Sequence, residues 1–344
     1  MNTMQEQSNQ IDLTSIIPQL EALTVPRRYW MVRTMGGTYY GDFIRNNYIA
    51  IGFDEVSLST LERLPVNYNQ AKEALKIIFA DRYEDMNQHG YYSSQLLHFY
   101  REIKENDVVI IPSNGASHVA IGLVQGGMYE EENPVFDSEH VCTFKKRRRV
   151  AWKVFCRRGN LPPMLQLVFN SRHPVSNVDS YAPYVDSLLN DCYYKEDKLH
   201  LVLRIKTRDD ISMDDFFNLK IVKEWAEEFC AEMGFPIEDP IAMKNQMESP
   251  GWLRLSTKSL FGLLAFGGIL VGISGGGINW SSEEGFDMHT DGVLKSISDF
   301  LDRKAERQLL EPIKNSLDSL KIDSLKDIEP YLELLRIRNE SKAN

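Results

Sequence analysis

Residues 259–282 read SLFGLLAFGGILVGISGGGINWSS, an uncharged run inside a chain in which 26% of the residues are charged. About 20 mostly apolar residues are needed to cross a bilayer, and a lipid-exposed charge there costs roughly 3 kcal/mol or more. The run is long enough and carries no charge. Gly268, Gly272 and Gly276 repeat every fourth residue, and Gly262 with Ala265 continues that face toward the N-terminus. Small residues at this spacing let helix backbones approach closely, so they are the candidate pore or helix-packing positions. Trp252 and Trp280 bracket the run as interfacial aromatics would. These features predict a membrane-spanning helix that packs against copies of itself. Two other readings stay open. One is a buried core helix, although each glycine there costs roughly 1 kcal/mol in water. The other is a strand running into an anion-cradling loop at 272–277, although no Gly-Lys-Ser or Gly-Lys-Thr follows it.

Outward from this run, the N-terminal flank carries Lys244, Arg254 and Lys258, and the C-terminal flank Glu283, Glu284, Asp287 and Asp291. The positive-inside tendency then places the large N-terminal part on the cytoplasmic side of the inner membrane. A total of 344 residues leaves room for two soluble domains beside one span. The net charge of -10 argues against a general nucleic-acid-coating protein, but a dense cationic block stands near residue 150. Cys142, Cys156, Cys192 and Cys230 lack metal-ligand spacing and fit a reducing compartment. The first residues have no basic region ahead of a long apolar stretch, so nothing there directs secretion.

Apolar periodicity predicts an α+β chain in five parts. Residues 1–26 form a polar lead with a short helix, and 27–158 a small barrel of strands interrupted by helices. Residues 159–256 form a second α/β domain, which begins where Leu161-Pro162-Pro163 breaks the pattern. The transmembrane helix occupies 257–281, and 282–344 form an amphipathic helical tail. In the second domain Leu199, Leu201, Leu203 and Ile205 alternate as a half-buried strand, and Ser212 with Asp215 marks a helix N-terminus.

The strongest ligand signal in the soluble part is the strand from about 144 to 157. Alternate residues of a strand share one face at about 6.6 to 6.8 Å, so Lys145, Arg147, Arg149, Lys153 and Arg157 are expected to form one cationic rail. Such a rail binds a nucleic-acid backbone with strong salt dependence and little sequence preference. The alternative is a solvated face that blocks edge pairing. Catalytic patterns are poor. Glu102-Ile-Lys104 falls in a helical pattern, and the seven histidines form no HExxH or His/Cys pair. A non-enzymatic protein without metal or cofactor is expected.

Residues 29–155, from RYWMVRTMGG through YYGDFIRNNYIAIGF and REIKENDVVIIP to AIGLVQGGMY and RRRVAWKV, resemble the PUA/EVE-like domains of modification-dependent restriction and other bacterial defence proteins. Phe53 stands where that family often has tryptophan, and Asn106 where glycine precedes the aspartate. The resemblance implies a fold that reads nucleic acid, with Trp30, Arg33, Phe53, Tyr91, Tyr92 and Ser93 as candidate pocket residues. Against this stands ordinary core packing for Trp30 and Phe53. A reader of this kind joined to a glycine-striped membrane helix is similar in plan to the membrane effectors of Hailong-type anti-phage defence. There a nucleotidyltransferase makes DNA oligomers that bind the soluble part and hold an ion channel closed. The expected function is therefore an oligomeric membrane effector gated by a short single-stranded DNA or nucleotide signal. Its expected partners are copies of itself, the lipid bilayer and a signal-producing nucleotidyltransferase. The alternative is a soluble specificity subunit that reads modified DNA for a separate nuclease.

Overall fold

A computed structural model describes residues 27–322 except 84–85, 133–138, 208, 236, 238, 247–250, 275–291 and 306–309. The chain forms two compact units, Pro26–Leu189 and the region from Asn190 onward.

The first unit is built on β1 (Tyr29–Val32), β2 (Tyr48–Ile51), β3 (Val108–Pro112), β4 (His118–Glu130), β5 (Lys146–Arg157) and β6 (Val175–Asn177). They hydrogen-bond in the order β2-β5-β4-β3-β1-β6, with β1 and β3 parallel and every other pair antiparallel. The sheet curls into a half-barrel. Its helices are α1 (Tyr40–Arg45), α2 (Leu58–Glu62), α3 (Tyr68–Ala80), α4 (Met86–Leu97), α5 (Pro163–Gln166) and α6 (Ala182–Leu189). β1 and β3 are continuous apolar runs because both of their faces are covered. Trp30, Val32, Val109 and Ile111 join one core with Ala71, Leu75 and Phe79 of α3 and Leu96 and Leu97 of α4. Tyr29, Met31, Val108 and Ile110 join a second core with Leu161, Leu165, Val168, Val178 and Val185. The chain after the Leu161-Pro162-Pro163 break is thus the cover of the second sheet face, and the compact unit runs on to Leu189.

Two buried carboxylates fasten this unit. Asp107 accepts hydrogen bonds from the backbone N–H of Arg28 (2.8 Å) and Lys104 (2.8 Å) and from the Trp30 indole N–H (2.9 Å). Asp42 accepts from the Tyr48 hydroxyl, the Asn46 amide (2.6 Å) and the Cys142 N–H (2.8 Å).

The second unit has a four-stranded antiparallel sheet in the order β7-β8-β10-β9. Its strands are β7 (Cys192–Lys195), β8 (Lys198–Ile205), β9 (Ala242–Gln246) and β10 (Gly251–Thr257). Its helices are α7 (Met213–Glu232), α8 (Leu260–Ile273), α9 (Gly292–Ala305) and α10 (Leu310–Leu320). Ser212 and Asp215 form a reciprocal capping box at the start of α7. Leu201, Leu203, Leu253 and Leu255 of the sheet share a core with α7, α8, α9 and α10.

The sequence expectation fails at α8. This helix has 14 residues, about 21 Å at 1.5 Å per residue, short of a hydrocarbon core of about 30 Å. Among the described residues no helix is long and apolar enough to cross a membrane. The α8 helix lacks a polar face because protein surrounds it: Leu260, Phe261, Leu263, Leu264, Ala265, Phe266, Ile269 and Leu270 are all buried. The Phe261 ring lies 4.8 Å from Phe235 and 6.3 Å from Phe229. Each such apolar side chain contributes about 1.5 to 3 kcal/mol on burial. The Ser259 hydroxyl caps α8 by accepting from Gly262 N–H (3.1 Å). Trp252 lies in β10 between β8 and β9. Gly262, Ala265, Gly268 and Gly272 are positions in this core helix, and Gly268 and Gly272 line a cavity of about 320 Å³ against Leu301 of α9 and Lys314 of α10. The transmembrane helix, the ion channel, the bilayer partner and the inner-membrane placement with a cytoplasmic N-terminal part therefore have no basis in the described residues. Gly276 and Trp280 lie outside them.

Cys142 and Cys230 are fully buried, and loss of solvation pushes their thiols up to about 11 and about 12 from an ordinary 9.0. A raised folded-state pKa contributes stability that is complete below the unfolded value and is lost as pH rises through the folded one. As pH rises from about 9 toward 11 the unfolding free energy should fall more steeply in the wild type than in a Cys142→Ala/Cys230→Ala double variant. Urea titrations across that range measure the difference, and parallel pH curves for the two proteins would refute it.

Candidate nucleic-acid interface

The residues expected to form a pocket separate in the structure. Trp30 is completely buried, gives its indole N–H to Asp107 and carries the Arg28 guanidinium 4.6 Å from its ring centre. Ser93 is buried and donates to His89 O (2.7 Å). Phe53 follows β2 with φ of 67°, a left-handed conformation uncommon for a bulky residue. The fully buried Lys146 ammonium fastens it there by donating to Phe53 O (3.0 Å). Its ring packs 5.3 Å from Tyr92 and 5.5 Å from Phe79, and Tyr83 joins the cluster 5.1 Å from Tyr92. The structure brings Phe53 and Tyr92 together as an aromatic cluster.

Arg33 and Tyr91 meet the segment leading into β6. The Arg33 guanidinium donates to Phe169 O (2.8 Å) and Ser171 O (3.0 Å), and the Tyr91 hydroxyl lies 3.3 Å from His173 Nδ1. This segment and α4 enclose a groove of about 400 Å³ that Gln95, His98, His173, Asn177 and Tyr181 help to line. The helix widens after Leu97: the Ile103 N–H donates to His98 O (3.0 Å), a π-type turn over His98–Glu102. Such turns recur at functional sites because they re-aim side chains. Here the turn sets the His98 Nδ1 2.8 Å from Glu102.

The five expected cations do not share a face. On β5, Val154 pairs with Ile121 but Trp152 pairs with Gly122, so Lys153 is the extra residue of a bulge. The bulge inverts the alternation. Gly122 accommodates it, since a Cβ there would lie 2.8 Å from the Trp152 ring. Arg149 pairs with Gln125 on one face, and Arg157 pairs with His118 on the other. Arg147 is buried, donating to Cys142 O (3.0 Å) and Phe144 O (3.0 Å) with the Tyr48 ring 4.3 Å away. Arg148 is also buried and donates to Phe99 O (2.9 Å), Tyr100 O (2.7 Å) and Gly126 O (3.3 Å). Burial pulls its pKa down to about 10, so it is still charged at neutral pH. Lys145, Arg149, Lys153 and Arg157 remain exposed, and among the described residues none of their side chains forms an ion pair.

Phe155 lies between the last two cations and is 57% exposed. It shares its face with Arg157, and its cross-strand partner is the small Ala120. The inward neighbours Val154 and Cys156 anchor this stretch in the second core. The exposed end of β5 thus presents Lys153, Phe155 and Arg157, with His118 beside Arg157. Plain alternation in the sequence puts Lys153, Phe155 and Arg157 in phase with Arg149, and the bulge takes Arg149 out of that set. A bulge leaves no local signature except a glycine on the partner strand.

Among the described residues no three His, Cys, Asp or Glu side chains converge in a way that could hold a metal ion. The first unit is a mixed α+β fold with a polar groove and an exposed cation–aromatic strand end. Residues 30–165 are similar to a family described only as a domain of unknown function (DUF8426). No curated protein matches the chain.

Proposed function

We propose that the Pro26–Leu189 unit is a nucleic-acid-binding module, non-enzymatic in itself, that takes an unstacked or single-stranded segment along the exposed end of β5. The observation that carries this reading is the exposed Phe155 ring between Lys153 and Arg157. A phenyl ring in water beside two unpaired cations matches what a single strand offers: a base face for stacking and flanking phosphates for charge pairing. The net charge of -10 makes such a cationic patch stand out from the rest of the surface. The resemblance of residues 29–155 to PUA/EVE-like readers agrees with this function, while a structural role accounts for Trp30, Arg147 and Arg148.

Fluorescence anisotropy with a short labelled oligothymidine tests it. Phe155→Ala should weaken binding by about 1 to 3 kcal/mol without altering the salt slope. The Lys153→Ala/Arg157→Ala pair should weaken it and reduce the log–log salt slope by about 1.4, at about 0.7 per phosphate contact. Wild-type binding that neither change affects would remove β5 from the interface.

A further inference from the structure

The groove between α4 and the segment before β6 has its own chemistry. Gln95 is only 5% exposed. Its Oε1 accepts from the Val175 N–H (2.8 Å), and among the described residues its amide NH2 has no partner at this lining position. His98 stands three residues further along, where helical neighbours share a face. Its Nδ1 lies 2.8 Å from the Glu102 carboxylate, and in the tautomer whose Nδ1–H donates there, Nε2 is the acceptor. An unpartnered donor and an acceptor thus both belong to residues that line the groove. Asn177 adds another donor, since its Oδ1 is taken by the Asp179 N–H (3.2 Å) while its NH2 is free among the described residues. Val168, Val175 and Val178 give the groove apolar walls. A groove of about 400 Å³ lies in the size range of small-molecule sites.

We infer that this groove binds a single nucleobase that presents a lactam edge, a ring C=O next to a ring N–H, as thymine, uracil and guanine do. The Gln95 amide donates to the carbonyl, and His98 Nε2 accepts from the ring N–H. Adenine and cytosine offer the reverse pattern, an amino donor beside a ring acceptor. They would set donor against donor and leave buried polar groups unpaired, which costs far more than a lost apolar contact. The choice of a base as ligand rests on the reading of this unit as a nucleic-acid binder. The groove's place beside β6 and its selectivity stand on the residues named here.

Ligand-observed NMR on the full chain, titrated with dTMP, GMP, AMP, CMP and inorganic phosphate, tests it. The expected result is saturable binding of dTMP and GMP, with AMP and CMP weaker by about tenfold or more and phosphate inactive. Gln95→Glu at pH 8 keeps the acceptor for Val175 N–H but removes the donor, and should abolish the preference. The exposed Asn177→Ala, which leaves the fold intact, should weaken dTMP by about tenfold. Equal binding of all four nucleotides, binding that phosphate alone displaces, or no saturable binding would each overturn the assignment. Failure of the β5 reading appears separately. In that case oligothymidine would bind unaffected by Lys153→Ala/Arg157→Ala, while the mononucleotide preference persisted. If oligothymidine bound through β5 and the mononucleotides showed no preference, only the groove would fall.

Discussion

Replacing Asp107 with alanine is expected to destabilise the Pro26–Leu189 unit by about 4 kcal/mol, the largest single-residue loss anticipated in it. Its carboxylate accepts from Arg28 N–H, Lys104 N–H and the Trp30 indole. Truncation leaves those donors inside the protein without acceptors, each costing about 1 to 3 kcal/mol. It also removes the negative charge that supports the buried Arg148 guanidinium. Loss of one member of a buried charge pair costs more than the pair contributes, because the other charge stays desolvated. Asp107→Asn should fall between, since one amide oxygen still accepts while its NH2 confronts donors. Trp30→Phe should cost less than either, as it removes one donor together with its need for a partner. Urea unfolding followed by circular dichroism ranks the three, and an Asp107→Ala midpoint within experimental error of wild type would refute the assignment.

Gly262→Val should be the most damaging change in α8, at about 3 kcal/mol or more. A Cβ at Gly262 would lie 2.6 Å from Ile237 Cδ1 and 2.9 Å from the Ser259 hydroxyl, the oxygen that caps the helix. Overpacking and cap displacement add there, and a β-branched side chain is too stiff to turn aside. Gly272→Leu meets only the Leu301 Cδ1 at 2.5 Å, the movable end of a side chain, and should cost about 1 to 3 kcal/mol. Thermal unfolding of the full chain reads both. If Gly262→Val melted with the wild type while Gly272→Leu did not, Ile237 and the Ser259 cap would not be the constraints on this helix.

The two glycines show how far local reading reaches. Their spacing was plain in the sequence, but what lies against Gly262 is the Ile237 side chain and the Ser259 hydroxyl of its own cap, not a second helix backbone. The medium around them was not readable, because a helix apolar on every side looks the same whether lipid or protein surrounds it. Only the packing of α7, α9, α10 and the β7–β10 sheet over α8 decides between them. The first unit was more legible. The strands at 29–32, 48–51 and 108–112 and the helix at 68–80 follow from apolar periodicity and from turns marked by glycine and asparagine. The candidate site was legible in part. Lys153 and Arg157 were visible as charges and plain alternation sets Phe155 with them, but only the structure shows that this ring stays 57% exposed and that the bulge at Lys153 turns Arg149 to the other face. Gln95 and His98 lay within the expected helical region, yet the groove they face is closed by residues 167–181, far away in the chain.

By itself the sequence determined the elements, their apolar faces and the placing of cationic residues along β5, because periodicity and charge are properties of neighbouring residues. The tertiary structure alone decided which charges are consumed in carbonyl contacts, which face each β5 side chain takes, that residues 159–189 complete the first unit, and that residues 260–273 of the glycine-rich run form a core helix. Those outcomes depend on which distant surfaces compete to cover the same apolar area, and no local pattern encodes the winner.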